Sequence, residues 1–400
     1  MTVKISSSDL RVGMYLHKLG GSWLKHPFLR NSFLLEDQND IKRIIQAGIK
    51  EAWIDESKGL ARESKQKPKQ EQIEELTTEE LPEEIVNDEP VGSMDEEIHR
   101  ARKFCNEAKE QVKEMFNEVR MGKSIDSEKI VPIVGEIEML IQRNTSAILS
   151  VARLKTHDDY TYMHSVAVCA LMISLAHHLG LDEEQTRLAG IGGLMHDLGK
   201  ALMPTDILQK PGKLTDAEFI TVKKHPQAGA AVLQKNGADP EVIDIALHHH
   251  EKINGSGYPD GLTSDDISLL ARMGAICDVY DAVTSERPYK KAWDPAYALQ
   301  AMAKWAGHFD NKVFAIFVKS VGIYPVGSLV RLSNKRLAVV VEPSVDSLLK
   351  PKVKSFFSIT AKAAIPVKII DLATPSCNVT IEGPENPDKW GFKSLERFWL

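Results

Sequence analysis

The sequence has few cysteines and no cysteine pair. Its four cysteines are widely scattered, and none belongs to a Cys-x-x-Cys motif (Cys105, Cys169, Cys277 and Cys377). A disulfide framework and a zinc ribbon both need paired thiols, so neither is expected. Unpaired thiols are typical of a reducing compartment, and we expect a cytoplasmic protein.

Positive charge is not in excess either. Lys and Arg total 50 against 56 Asp and Glu, which leaves a formal net charge of -6. Proteins that bind duplex nucleic acid generally present a basic field. We therefore expect no DNA binding, and any site for phosphate has to be local.

Long hydrophobic runs are also missing. The longest, residues 166–176, is interrupted by Ser174 and flanked by histidines, and it is too short to span a bilayer. The first six residues lack the apolar core of a signal peptide. The sequence therefore predicts a buried helix at this run and no membrane span.

A chain of 400 residues is long enough for two or three domains. Residues 1–60 mix short strand and helix signals and predict a small α+β module. Residues 61–97 are acidic, contain prolines and lack apolar periodicity, which predicts a flexible linker, or alternatively a partner-binding segment. Residues 98–155 predict connecting helices, residues 156–325 a helical domain, and residues 326–400 a small β-rich appendage. The fold class is therefore mainly α.

The pair His196-Asp197, followed by Leu-Gly and Lys200, is the strongest chemical signal. Imidazole nitrogen and carboxylate oxygen both suit divalent metals, and two neighbouring ions can clamp a phosphate. Further potential ligands lie on other predicted helices or at their ends (His164, His225, His249, His250 and Asp278). A lone histidine on an apolar helix is usually a hydrogen-bonded core residue. Several inward-pointing groups from successive helices are instead typical of a metal site in a bundle.

These motifs, with Gly257-Tyr258-Pro259 and the segment from Asp278 to Lys290, resemble the HD-GYP subgroup of the HD metal-dependent phosphohydrolases. The resemblance covers residues 156–325. The first 60 residues resemble the small N-terminal domain of unknown function that precedes HD-GYP domains in some bacterial proteins. The implied fold is a helical HD-type metal phosphohydrolase domain.

The resemblance implies two divalent ions, with iron or manganese expected and nickel, cobalt or zinc as further candidates in purified protein. The ligands it implies are His164, His196 and Asp278 for one ion, and His225, His249 and His250 for the other, with Asp197 bridging. Trimetal members carry a glutamate one helical turn before the first histidine, where this sequence has Tyr160. We therefore expect two metals, and His248 falls on a variable position of the family.

The implied activity is hydrolysis of cyclic di-GMP to linear pGpG, to GMP, or to both, by a metal-bridging hydroxide that attacks phosphorus. Asp197 and Lys200 are the catalytic candidates, and Lys200 is placed to counter charge on the phosphate oxygens. Arg287 and Lys290 resemble the substrate-phosphate clamp of the family, and Tyr258 lies on a loop beside the site.

Two alternatives stay open. One is a phosphodiesterase for another cyclic dinucleotide, such as 3′,3′-cyclic GMP-AMP, because no residue in these motifs reads a guanine edge. The other is a weakly active cyclic-dinucleotide receptor or scaffold, whose Gly-Tyr-Pro loop docks a diguanylate cyclase. A homodimer is a further expectation.

Overall fold

The computed structural model describes residues 2–20, 32–61, 92–155, 160–210, 212–286, 291–344, 347–392 and 395–400. The chain forms two compact units that divide between residues 92 and 93. Most of the predicted linker, residues 62–91, lies outside the described residues.

The first unit is a small α+β module, as predicted. Its elements are strands β1 (Thr2–Ser6), β2 (Tyr15–Leu19) and β3 (Phe33–Leu34), helix α1 (Gln38–Gln46) and strand β4 (Glu51–Asp55). The strands are antiparallel in the order β1-β4-β2-β3. Asp37 begins α1 by accepting a hydrogen bond from the Asn39 backbone N–H at 3.0 Å. Ile41 and Ile44 of α1 are buried and contribute to the core of this unit.

The second unit begins with two long helices and continues through a helical domain. Its helices are α2 (Met94–Arg120), α3 (Ser127–Ala152), α4 (Tyr160–Leu179), α5 (Glu183–Met195), α6 (Thr205–Leu208), α7 (Asp216–Val222), α8 (His225–Lys235), α9 (Pro240–His248), α10 (Leu269–Thr284), α11 (Pro295–Met302) and α12 (Asn311–Val321). A 3₁₀ helix, Leu198–Leu202, follows α5. Helix α4 is central, because it packs against α2, α3, α5, α10 and α12.

Helix α2 begins earlier than the sequence predicted. The linker was expected to run to residue 97, but the helix starts at Met94, where Ser93 and Glu96 form a reciprocal capping box. Acidic side chains in a first turn interact favourably with the helix dipole, so part of the acidic run is a helix start. Glu97 is buried and forms an ion pair with Arg143 at 2.7 Å, which joins α2 to α3.

Helix α4 is the one described helix that is long and apolar enough to cross a membrane, and 78% of its apolar window is buried inside the protein. Every side chain from Met163 to Ala176 is buried. Packing against five other helices accounts for this apolar composition, and the predicted buried helix is confirmed.

The β-rich region is an antiparallel sheet packed within the same unit as the helices. Its strands are β5 (Leu329–Leu332), β6 (Arg336–Glu342), β7 (Lys352–Ser358), β8 (Ala363–Asp371) and β9 (Ile381–Pro384), in the order β8-β7-β6-β5-β9, followed by α13 (Pro387–Trp390). The backbone N–H of Leu329 donates to Asp294 Oδ2 at 2.7 Å. Arg153 donates to the Val326 carbonyl oxygen at 3.0 Å. These bonds fasten the sheet to α11 and to the end of α3.

Candidate metal centre

Five helices deliver all seven predicted ligands to one place in the interior. The ligands are His164 within α4, His196 and Asp197 directly after α5, His225 at the start of α8, His249 and His250 directly after α9, and Asp278 within α10. All except His250 are buried. Three of the five sources are helix termini, and the other two ligands lie within α4 and α10.

Glycines let these helices approach closely. A Cβ atom on Gly192 of α5 would lie 2.2 Å from Ile245 Cδ1 of α9. A Cβ atom on Gly199 would lie 1.9 Å from the carbonyl oxygen of His225 and 2.5 Å from the backbone nitrogen of Gly229. Only glycine therefore allows the turn after His196-Asp197 to touch the start of α8.

The ligands form two clusters, in each of which the donor atoms lie within 4.8 Å of one another. The first cluster is His164, His196 and Asp278, and the second cluster is Asp197, His225, His249 and His250. The division matches the two ligand sets that the family resemblance implied.

Asp197 faces both clusters with different oxygen atoms. Its Oδ2 lies 3.4 Å from His164 Nε2 and 3.3 Å from His196 Nε2. Its Oδ1 lies 3.2 Å from His225 Nε2 and 3.9 Å from His249 Nε2. A carboxylate in this position can bind two ions at once.

Asp278 also reaches towards both clusters. Its Oδ1 lies 3.0 Å from His164 Nε2, and its Oδ2 lies 3.5 Å from His250 Nδ1. Two carboxylates and five imidazoles therefore surround the same small volume.

Three imidazoles direct Nδ1 away from the centre towards helix carbonyl oxygens. The bonds run from His196 to Gly193 (2.8 Å), from His225 to Val222 (2.7 Å) and from His249 to Ala246 (3.0 Å). A carbonyl oxygen only accepts, so each Nδ1 carries the proton and each Nε2 holds a lone pair. Yet His225 Nε2 and His249 Nε2 lie 3.4 Å apart. Lone pairs that face each other in a buried pocket repel unless a cation lies between them, so the donor set fits divalent ions.

The charges of the centre favour metal binding as well. Asp197 Oδ1 is buried and accepts no hydrogen bond from the described residues. Burial acts to raise the pKa of Asp197, but the neighbouring Lys200 ammonium is the largest opposing influence, and the pKa lies well below its usual value. Burial keeps the pKa of His249 well below its usual value and lowers the pKa of His250 to about 3. Charged carboxylate and neutral imidazole are the forms that bind metals.

Lys200 and Tyr258 border the centre, as the sequence predicted. Lys200 Nζ donates to Asp197 Oδ2 at 2.5 Å, and its side chain is 23% exposed. The Tyr258 ring lies 4.7 Å from the His250 ring, and Lys223 Nζ lies 4.6 Å from the centre of the Tyr258 ring. The loop that carries Tyr258 thus forms one wall beside the second cluster.

Glu251 holds that loop in place, a role that the sequence did not reveal. The residue is buried, and its carboxylate accepts hydrogen bonds from three backbone N–H groups of the loop, at Asp260 (2.7 Å), Gly261 (2.9 Å) and Leu262 (3.1 Å). The Tyr258–Pro259 peptide bond is cis. Three hydrogen bonds from backbone amides to one buried carboxylate restrain the loop strongly.

The residues that remain to be placed are the predicted phosphate clamp, Tyr160 and several other histidines. Arg287 and Lys290, the predicted phosphate clamp, lie outside the described residues. The Tyr160 ring stacks on His164 at 5.6 Å between ring centres, so a ring occupies the position of the absent glutamate. Four further histidines have other partners and belong to neither cluster: His177 lies near Glu138, His178 near the Ser174 carbonyl, His248 between Asp244 and Asp260, and His308 against Trp305.

Sequence reasoning missed two residues behind His164. Asp281 Oδ2 accepts a hydrogen bond from His164 Nδ1 at 2.6 Å and also contacts the Lys155 ammonium. Burial acts to raise the pKa of Asp281, but Lys155 and His164 hold it below its usual value. Asp281 follows Asp278 by one helical turn, a spacing that could have suggested it. No comparable signal marked Lys155.

A helical domain that gathers histidines and aspartates into two clusters, joined by one shared aspartate, defines the class of metal-dependent HD domains. Family comparison agrees, because the family described as HD domain matches residues 137–313. A second family, described as a domain of unknown function (DUF3391), matches residues 2–130.

Comparison with individual proteins shows which enzymes of this class the chain is similar to. The chain is 48% identical over 415 residues to a cyclic di-GMP phosphodiesterase of Pseudomonas aeruginosa, covering 100% of this chain and 96% of the relative. It is 34% identical over 207 residues to a cyclic di-GMP phosphodiesterase response regulator of Xanthomonas campestris, covering 50% of this chain and 54% of that one. It is 35% identical over 180 residues to a 3′3′-cGAMP-specific phosphodiesterase of Vibrio cholerae, covering 43% of this chain and 42% of that one. The chain therefore belongs to the HD-GYP family of cyclic-dinucleotide phosphodiesterases, in the group with an N-terminal DUF3391 domain.

Proposed function

We propose that this chain hydrolyses cyclic di-GMP to linear pGpG, to GMP, or to both. The observation that carries the proposal is Asp197, whose two oxygen atoms face two separate clusters of metal ligands. Similarity over the whole length to a cyclic di-GMP phosphodiesterase supports the choice of substrate.

We further propose that iron or manganese occupies the centre, because imidazole and carboxylate donors without a thiolate suit these metals. Cys277, next to Asp278, belongs to neither cluster and is buried in the core. These residues would hold two divalent ions, which would supply an activated water nucleophile and neutralise charge on the phosphate oxygens.

The residues of the chain itself position the substrate. Asp197 would hold both ions, because its two oxygen atoms face the two clusters. The Lys200 ammonium lies at the partly open edge of the centre, where it can donate to a non-bridging phosphate oxygen as negative charge develops there. Tyr258, restrained through Glu251, forms a side wall against which the nucleotide is oriented.

Turnover of cyclic di-GMP by manganese-loaded, full-length protein tests the proposal. Products are separated by chromatography, and Asp197→Ala is the site variant. Asp206→Asn, an exposed change in α6, serves as a matched loss of one carboxylate. We expect turnover by the wild type and by Asp206→Asn, and none by Asp197→Ala. Equal turnover by the wild type and Asp197→Ala would refute the assigned site.

A second candidate substrate is 3′,3′-cyclic GMP-AMP. The observation in its favour is that the chain is as similar to the cyclic GMP-AMP enzyme (35%) as to the cyclic di-GMP response regulator (34%). Competition between the two nucleotides in one assay decides between them. A higher kcat/KM for cyclic GMP-AMP would replace the first proposal. Cytoplasmic location, a homodimer and docking of a diguanylate cyclase stay predictions.

A further inference from the structure

Lys155 carries a buried positive charge beside the candidate metal centre. Its side chain is 0% exposed, and it lies three residues beyond the end of α3. The ammonium contacts Asp281 Oδ2, donates to Ser285 Oγ at 2.8 Å, and lies 5.5 Å from the centre of the Tyr160 ring. A buried ammonium is costly unless such partners surround it. The site therefore contains a fixed cation that belongs to the protein.

The same oxygen of Asp281 also accepts from the first-cluster ligand His164. With Nδ1 of His164 held at 2.6 Å from Asp281, the Nε2 atom of the ring is directed at Asp278 and Asp197. A carboxylate behind a metal-binding imidazole selects the ring's tautomer and orientation. In this protein the same carboxylate oxygen is also held by Lys155.

We propose that Lys155 is a positioning residue of the metal centre, which holds Asp281, and through it His164, in the geometry that binds the ion of the first cluster. Without the ammonium, Asp281 keeps one fixed contact instead of two and is free to rotate away from the imidazole. The second cluster has its own carbonyl partners and does not depend on Lys155. The proposal rests on the metal occupancy proposed above, but not on the identity of the substrate.

Binding of Mn²⁺ tests the proposal without an activity assay. Full-length apoprotein is titrated with Mn²⁺ in chelator-buffered solution, and the bound metal is counted by elemental analysis. We expect two equivalents in the wild type. In Lys155→Met we expect one equivalent to bind about 10- to 100-fold more weakly, which is the usual effect of losing a group that orients a ligand. Lys155→Arg, which keeps the charge, should recover most of the loss.

Arg143→Met is the matched control, because it also removes a cation that contacts a buried carboxylate, that of Glu97, away from the metal clusters. It should bind both equivalents as the wild type does. Should Lys155→Met not fold, Lys155→Gln carries the same expectation, with folding checked by circular dichroism. Wild-type affinity for both equivalents in the folded Lys155 variant would overturn the proposal, and so would loss of an equivalent in Arg143→Met. A wild type that binds no Mn²⁺ would instead refute the metal centre itself.

Discussion

At the scale of single residues, the position of Lys200 leads to a specific prediction for kcat. Its ammonium contacts the shared aspartate and is partly exposed, so it can serve the transition state without holding a metal. We expect Lys200→Gln to lower kcat about 100-fold, as removal of one donor to a developing oxyanion does, with metal content unchanged. Steady-state kinetics and elemental analysis of the same sample measure both. Lys224→Gln, an exposed neighbour of the site, should leave kcat unchanged.

Several of the candidate ligands could be predicted from sequence because they stand in short local motifs. His196-Asp197 and His249-His250 are adjacent pairs at helix ends, whereas His164 was assigned only through the family resemblance. Lys155 could not be predicted, since its partners lie 126 and 130 residues away and only the packing of α10 near the end of α3 brings them together. A buried lysine has no local pattern of its own.

At the scale of elements, the Gly-Tyr-Pro loop depends on one carboxylate. Glu251→Gln turns an amide N–H₂ towards backbone N–H donors and leaves at least one of them without its acceptor. We expect the free energy of unfolding to fall by about 1–3 kcal/mol, and KM to rise with little change in metal content. Thermal denaturation and kinetics check both effects.

Glu96→Gln is the control for that experiment, because Glu96 also accepts a backbone hydrogen bond, but at the exposed start of α2. A wild-type KM in Glu251→Gln would show that the loop keeps its position without the carboxylate.

The environment of His308, beside the same loop, predicts that the stability of the protein depends on pH. Burial, with a contribution from Lys252, lowers its pKa to about 4. The unfolded chain takes up a proton on this histidine near pH 6.5, whereas the folded protein does so only near pH 4. The contribution of His308 to the free energy of unfolding is therefore fully present above pH 6.5 and is lost as the pH drops towards 4. We expect the melting temperature of the wild type to fall more steeply over this interval than that of His308→Gln. Parallel curves would contradict the assignment.

Element boundaries were harder to predict than elements. The sequence predicted strands in the N-terminal module, a β-rich C-terminal region and the apolar helix α4, because strand alternation and a long apolar run mark them. It placed the start of α2 too late, because acidic residues that look like linker also stabilise a helix N-terminus.

At the scale of the whole molecule, metal should stabilise only one of the two units. All seven ligands belong to the second unit, and a ligand raises the stability only of the fold that binds it. Calorimetry of the full chain should resolve two transitions, of which Mn²⁺ raises one. Removal of the metal with a chelator should reverse the shift. A shift of both transitions would show that the units unfold together.

The separation of the two ligand clusters depends on a residue that belongs to neither of them. Because Gly199 has no side chain, the backbone of one ligand pair rests directly against the carbonyl group of a ligand from another helix. Even a methyl group there would force the two backbones apart, while metal–ligand distances tolerate changes of only about 0.2 Å. Redesign of this enzyme for a different spacing between the two clusters would therefore have to begin in the main chain, and exchange of ligand side chains alone would leave the spacing unchanged.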